Sequence, residues 1–180
     1  MVELKRPNLK LVDSYFDFIE EMRIHGEKIW EGVLPRAGES SSLFVDRLLR
    51  AETSPEVPLV PETIYWAVDG NQVVGRIALR HLLNENLREF GGHVGYEVRP
   101  SCRRRGVGKE MLRLLLESQK AIEIGRLLLT CAPNNVPSNK TILANGGVLT
   151  KTAFVESRQR DTNYYWIYLD CPSPSLHEGK

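Results

Sequence analysis

Several features are scarce or missing in this sequence, and each shortage narrows the reading. The chain has three cysteines, Cys102, Cys131 and Cys171, an odd count with no CxxC pair. That argues against a disulfide framework or a zinc knuckle and makes a reducing cytoplasm the simpler setting. No stretch approaches the roughly 18 consecutive apolar residues a membrane span needs, so no membrane partner is expected. The opening MVELKRPNLK has no apolar run and no small-residue cleavage site, so no signal peptide is expected. Neither sign of charge is in surplus: 24 Lys and Arg stand against 23 Asp and Glu. Without a global field, nucleic acid is not an expected partner, and any anion site must be local. His25, His81 and His177 share no ligand spacing with each other or with the cysteines, so no metal is expected. There is no internal repeat and no low-complexity tract.

What is present reads as one α/β domain over residues 1–170, with Cys171 to Lys180 as a frayed tail. Val2 to Leu4 reads as a short strand. From Asp13, the spacing of Phe16, Ile19 and Met22 predicts a helix. His25 to Ser42 is glycine-punctuated loop. Ser40 to Ser42 offer a cap for a second helix with Leu43, Phe44, Leu48 and Leu49 on one side. Three prolines make Thr53 to Glu62 a connector. Ile64 to Val68 and Gln72 to Leu79 flank Asp69-Gly70, a hairpin signal. Arg80 to Phe90 is polar and partly helical, and Gly91-Gly92 breaks it. His93 to Val98 is a third strand in this region. Val107, Met111, Leu114, Leu115 and Ile122 trace one long helix. Leu127 to Cys131 reads as a buried strand, Pro137 to Ala144 as a short helix, and Val148 to Val155 with Tyr164 to Leu169 as a closing strand pair. The strand-helix-strand unit from His93 to Cys131 predicts a parallel crossover within a mixed sheet.

The informative stretch runs from Tyr96 to Glu110: a strand, a basic glycine loop, then a helix. Amide N–H groups at a helix start have no intrahelical partner, and the macrodipole adds about half a positive charge there. Gly106 and Gly108 remove the Cβ atoms that would block approach, and Arg103, Arg104, Arg105 and Lys109 surround the loop. This is an anion cradle suited to phosphate or pyrophosphate. A P-loop would need glycine at Arg103 and Ser or Thr at Glu110, and a dinucleotide fingerprint would need glycine at Met111; both fail.

The remaining spacing, Arg103-x-x-Gly106-x-Gly108 after a strand, resembles the pyrophosphate signature of the GNAT superfamily of N-acetyltransferases. Asn135-x-x-Ser138 followed by Gly146-Gly147 is similar to that family's segment after its fifth strand. Gly91 to Tyr96 together with Asn145 to Val148 resembles a bacterial branch of predicted acetyltransferases. The resemblance implies a GNAT-like mixed sheet whose strands around Val98 and Cys131 splay apart. The pantetheine arm of acetyl-CoA, the co-substrate, would lie in the gap and pair with Val98. Amides of Arg104, Arg105, Gly106, Val107, Gly108 and Lys109 would hold the pyrophosphate, and Asn135 and Ser138 would reach the pantetheine.

Acyl transfer to an amine needs a neutral amine, and a lysine-like group is neutral only about once in 2,500 molecules at pH 7. A general base recovers part of that loss. His93 and Glu97 are the candidates on the strand before the loop. Many relatives place a base at the positions matching Gly92 and Val94, which carry nothing titratable here. A donor N–H near Val98 would stabilise the oxyanion. The tyrosine acid of many relatives falls on Ile142, so Tyr165 or Tyr164 would have to replace it from another strand. Glu97 could instead form a salt bridge with Arg99 or another cation, and Asn135 could be a plain helix cap. Trp30-Glu31 would floor the acceptor site. The resulting expectation is direct acetyl transfer to a primary amine of a small molecule or protein, in a chain that could form a homodimer. The alternative is an acyl-CoA-binding or regulatory module without turnover.

Overall fold

The computed structural model describes residues 1–169. The predicted tail therefore lies outside the described residues. In chain order the elements are β1 (Val2–Lys5), α1 (Val12–Ile24), α2 (Ser41–Arg50), β2 (Glu62–Asp69), β3 (Gln72–Arg80), α3 (Glu85–Glu89), β4 (Val94–Val98), α4 (Val107–Leu116), α5 (Gln119–Ile124), β5 (Arg126–Cys131), α6 (Val136–Leu143), β6 (Val148–Val155) and β7 (Arg160–Tyr168).

Two antiparallel sheets carry the fold: β1-β2-β3-β4 and β5-β7-β6. The expected mixed sheet is thus divided at its splay, since no ladder joins β4 to β5 among the described residues. The hairpin at Asp69 forms as predicted, with Asp69 opposite Gln72 and Gly70 at φ +63°.

β3 is covered on both faces, and apart from Arg76 and Arg80 its buried side chains are apolar. Toward α1 and α2 it presents Val73 and Ala78, packed with Tyr15, Phe18, Phe44, Leu48 and Trp66. The Tyr15 and Trp66 rings stack at 4.5 Å between centroids. Toward α4 it presents Val74, Ile77 and Leu79, packed with Met111, Leu112 and Leu115. The same cluster takes in Leu127, Leu129 and Ile167 of the second sheet, so the core beneath α4 spans the seam between the sheets. Each such side chain contributes on the order of 1.5–3 kcal/mol by leaving water. Gly75 lets β3 sit this close, because a Cβ there would lie 2.7 Å from the Glu97 carbonyl and 2.8 Å from Met111 Sδ.

Three helix expectations need correcting. The long helix after Gly106 is two helices, because Ser118 caps α5 by accepting from the Ala121 amide. Leu112, not Leu114, is fully buried. In α2 the apolar face is Phe44, Val45 and Leu48, with Leu43 exposed.

Candidate active site

The chain leaves β4 at Val98, makes a 3-10 turn over Pro100–Cys102 and enters α4 at Val107. Two left-handed residues shape the loop: Gly106 at φ +79° and Arg104 at φ +60°. Gly106 provides this conformation at no Cβ cost; Arg104 is a non-glycine residue the sequence gives no reason to place there. Glu21 of α1 holds the loop from below, accepting from Arg99 Nε at 2.5 Å and from the Ser101 amide at 2.6 Å. Arg103 folds back onto the end of β4. It donates to the Val98 carbonyl at 3.1 Å and to Glu27 at 2.6 Å, so it braces the loop. Arg104, Arg105 and Lys109 are exposed, and no carboxylate among the described residues lies within ion-pair distance of them. Val107 is buried and anchors the helix start in the core. The first backbone bond of the turn is Glu110 N–H to the Gly106 carbonyl. Among the described residues none of the six amides from Arg104 to Lys109 makes a well-aligned hydrogen bond, although residues 103–106 close as a turn. Gly108 lies against β4: a Cβ there would meet Val98 Cγ2 at 3.4 Å and Tyr96 at 4.0 Å.

The seam between β4 and β5 is closed at one end and open at the other. At the closed end the His93 amide donates to the Leu128 carbonyl at 2.7 Å, and the Leu128 amide donates to His93 Nδ1 at 2.8 Å. Gly92 permits this contact, since a Cβ would lie 2.3 Å from the Leu128 oxygen. The ladder with β3 uses the backbone of alternate residues, as the Arg80–His93 and Arg99–Val74 bonds at its two ends show. Tyr96 and Val98 thus turn their N–H and C=O groups toward the seam. Across its open end, the Tyr96 hydroxyl meets Ser138 Oγ at 2.8 Å. Asn135 caps α6, accepting from the Ser138 amide at 3.2 Å.

A family model for the acetyltransferase (GNAT) family matches residues 33–145. The chain belongs to that family. Among solved structures it is similar to the Microcin C7 self immunity acetyltransferase MccE, in complex with acetyl-CoA and AMP, at 17% identity and TM-score 0.69, covering 93% of this chain and 92% of that one. It is also similar to Mycobacterium smegmatis RimJ, in complex with CoA-disulfide (16% identity, TM-score 0.65, 93% and 81% covered). A third is a putative ribosomal-protein-serine acetyltransferase from Vibrio cholerae (20% identity, TM-score 0.62, 93% and 93% covered). These likenesses are of fold. No curated protein sequence matches.

In this acetyltransferase the expected catalytic groups are held differently from one another. His93 is buried, and burial first, then Arg80 and Arg88, push its pKa down to about 4. With Nδ1 accepting from Leu128, the proton of the neutral ring sits on Nε2, so neither nitrogen offers a free lone pair. His93 closes the seam and is not placed to act as a base. Glu97 bonds Arg76 Nη2 at 2.5 Å, so its cation is Arg76 and not Arg99. Burial alone would lower the Arg76 pKa; Glu97, Tyr15 and Glu62 raise it and keep the guanidinium charged. Tyr164 points away from the seam, donating to the Glu89 carbonyl at 2.6 Å. Tyr165 is buried beneath α6 with its hydroxyl on Asn139, and burial pushes its pKa up against the pull of Asn163.

Four polar residues near the seam escape sequence reading. Arg76 and Arg80 stand in an otherwise apolar strand, Glu62 opens β2, and Tyr96 faces the core. The usable signal was the pair of arginines four apart in Gln72 to Arg80, which places both on one face. Trp30 and the 3-10 turn Glu31–Val33 stand beside a cavity under α2, with Trp30 in its wall. No group of three or more metal-binding side chains occurs among the described residues, and no helix there is long and apolar enough to cross a membrane.

Proposed function

We propose that this acetyltransferase moves the acetyl group of acetyl-CoA to a primary amine by direct attack. The observation that carries the reading is the row of amides from Arg104 to Lys109, none of which makes a well-aligned hydrogen bond among the described residues, at the open end of the seam. Donors left without acceptors at a helix start suit a pyrophosphate. Arg104, Arg105 and Lys109 add charge without an ion pair to any carboxylate among the described residues. The seam-facing backbone of Tyr96 and Val98 can pair with the pantetheine amides, and one of their N–H groups can stabilise the oxyanion. Asn135 spends its side-chain oxygen on the cap, which leaves its amide nitrogen for the pantetheine; Ser138 reaches the same gap through its hydroxyl.

In the step itself the amine nitrogen bonds the thioester carbon, the C–S bond breaks, and the ammonium proton must leave. Of the two expected bases, Glu97 is the one that keeps lone pairs, with about a quarter of its side chain (26%) exposed. Its Oε2 is taken by Arg76, so we assign it proton transfer through water. The departing thiolate needs no dedicated acid, because a thiol pKa near about 8.5 makes it a competent leaving group. Tyr165 already donates to Asn139, so the acid role fits it poorly. The acceptor is an amine of a small molecule or a protein. Cysteine usage supports a cytoplasmic setting, and the edge strand β6, with Val148, Leu149 and Phe154 exposed, supports a homodimer, which light scattering tests.

The deciding experiment is calorimetric titration of acetyl-CoA, CoA and ATP into the wild type and a Gly106→Trp, Gly108→Trp variant. Acetyl-CoA and CoA should bind the wild type and not the variant, with ATP far weaker. A folded wild type that ignores acetyl-CoA refutes the reading. Thiol release with a panel of amines then separates turnover from mere binding.

A further inference from the structure

At the closed end of the seam lies a cleft of about 220 Å³. A cavity of about 150 Å³ is enough for benzene, so the cleft has room for a one-ring ligand. Its walls come from the turn after β3, from α3, from the residue before β4, from the junction of α5 with β5, and from β7. Leu83, Ile124 and Trp166 supply apolar surface. The polar lining is Arg88, His93 and Arg126, and no carboxylate is among the lining residues.

Each of these three groups has a donor to spend. Arg88 and Arg126 enter no ion pair among the described residues. Carboxylates close to them in sequence are engaged elsewhere: Glu89 accepts from Ser157 Oγ at 3.1 Å, and Glu123 pairs with Lys120 at 2.7 Å. Arg126 lies over the Trp166 ring, 5.2 Å from its centroid, which holds the guanidinium at the cleft wall. His93 is only 7% exposed, and its Nδ1 is taken by the Leu128 amide, so the neutral ring carries its proton on Nε2. That N–H makes no hydrogen bond among the described residues, and the ring is reached through the cleft. Burial first, then the charges of Arg80, Arg88 and Arg126, hold the ring neutral. Arg80 donates to the Gly91 and Gly92 carbonyls, which leaves Arg88 and Arg126 for a ligand. A donor this deeply placed is costly without an acceptor, and an anion in the cleft removes that cost.

We propose that this cleft is a binding site for a small organic anion, a carboxylate on an apolar body. Arg88, Arg126 and the His93 Nε2–H receive the carboxylate, and Trp166, Leu83 and Ile124 receive the body. The arginine fork matches a carboxylate in geometry as well as in charge. The site stands at the opposite end of the seam from the acetyl-CoA cradle, and no residue of the loop 98–109 or of α6 lines it, so it can fill whether or not acetyl-CoA is bound. An anion there also braces the closed end, because His93 ties β4 to β5 through its other ring nitrogen.

The test is calorimetry on the full chain with benzoate, benzylamine and acetate as probes. Benzoate should bind the wild type at least about tenfold more tightly than either the cation of similar body or the anion without one. Arg88→Gln and Arg126→Gln, both at exposed positions, should fold and should each weaken benzoate by about tenfold or more. The Gly106→Trp, Gly108→Trp variant should bind benzoate as the wild type does, whatever it does with acetyl-CoA. Benzoate should move the His93 ring-nitrogen resonances, assigned by their loss in His93→Phe, and should raise the urea midpoint of the wild type but not of Arg126→Gln. Benzylamine or acetate binding as tightly as benzoate overturns the proposal, as does unchanged benzoate affinity in either arginine variant or an unmoved His93 signal. Benzoate binding lost in a folded glycine variant also overturns it, because the anion would then sit in the cradle. So does a folded wild type that binds none of the three probes.

Discussion

The two ends of the β4–β5 seam follow opposite rules. At the His93 end the chain satisfies itself: amide, carbonyl and ring nitrogen of two strands are paired within 3 Å, and a glycine lets them approach. At the Val98 end the chain leaves donors unspent, and the amides of the following loop make no well-aligned hydrogen bond among the described residues. One end spends its polar groups on stability, and the other holds them for a ligand. Substitutions at the closed end should therefore cost folding, and those at the open end should cost binding.

The largest effect is expected at Gly92. A side chain there meets the Leu128 carbonyl at 2.3 Å and must also adopt φ +63°. Overpacking and left-handed strain together should make Gly92→Val less stable by about 4 kcal/mol, read as a lower urea midpoint. Gly146→Ala is the control, with φ +81° and open space around it; strain alone should cost about 1–2 kcal/mol. If the two variants lose equally, the close approach at Leu128 does not hold the seam.

Next comes Glu97→Ala, which leaves Arg76 buried without its carboxylate. Losing one partner of a buried pair should cost about 3 kcal/mol, the lower end of the usual range because Glu97 is partly exposed. A stability change below about 1 kcal/mol would mean that solvent already carries the Arg76 charge.

His93→Phe is expected to cost about 2 kcal/mol, since the Leu128 amide loses its acceptor. It should also change the pH dependence. The folded pKa of about 4 lies below the unfolded value of about 6.5. The neutral ring therefore contributes stability that is present above about 6.5 and lost as pH falls through about 4. His81, also lowered by burial, titrates in the same direction and remains in the variant. Denaturation midpoints from pH 7 to pH 4 should fall less steeply for His93→Phe than for the wild type.

The contrast between the ends was only half legible in the sequence. The open end is local: Arg103 to Lys109 are consecutive, and glycine spacing before a helix announces its amides. The hairpin at Asp69-Gly70 and the strand Val148–Val155 were legible for the same reason. The closed end depends on Leu128, 35 residues from His93, and no spacing in the sequence links the two. The Arg76–Glu97 pair was hidden for another reason. β3 is covered on both faces, so its apolar run conceals the alternation that would mark Arg76 and Arg80 as sharing a face with Glu97. Arg103 was marked by its spacing to Gly106 and Gly108, but its bond to Glu27, far away in sequence, was not legible.

The smallest effect on folding, and the sharpest contrast with Gly92, is expected at Gly108. A Cβ there makes only ordinary contacts, 3.4 Å to Val98 Cγ2 and 3.6 Å to Thr141 Oγ1. Alanine also suits a helix better than glycine, by about 0.5–1 kcal/mol, so Gly108→Ala should unfold at the wild-type urea concentration or slightly above it. Yet the added methyl stands beside amides that a pyrophosphate must approach closely. Acetyl-CoA affinity should fall by about tenfold or more, at unchanged stability. Wild-type affinity in Gly108→Ala would place the phosphates over Arg104 to Gly106 instead, because the amides at the loop's start would then be the only ones a ligand could reach without crossing Gly108.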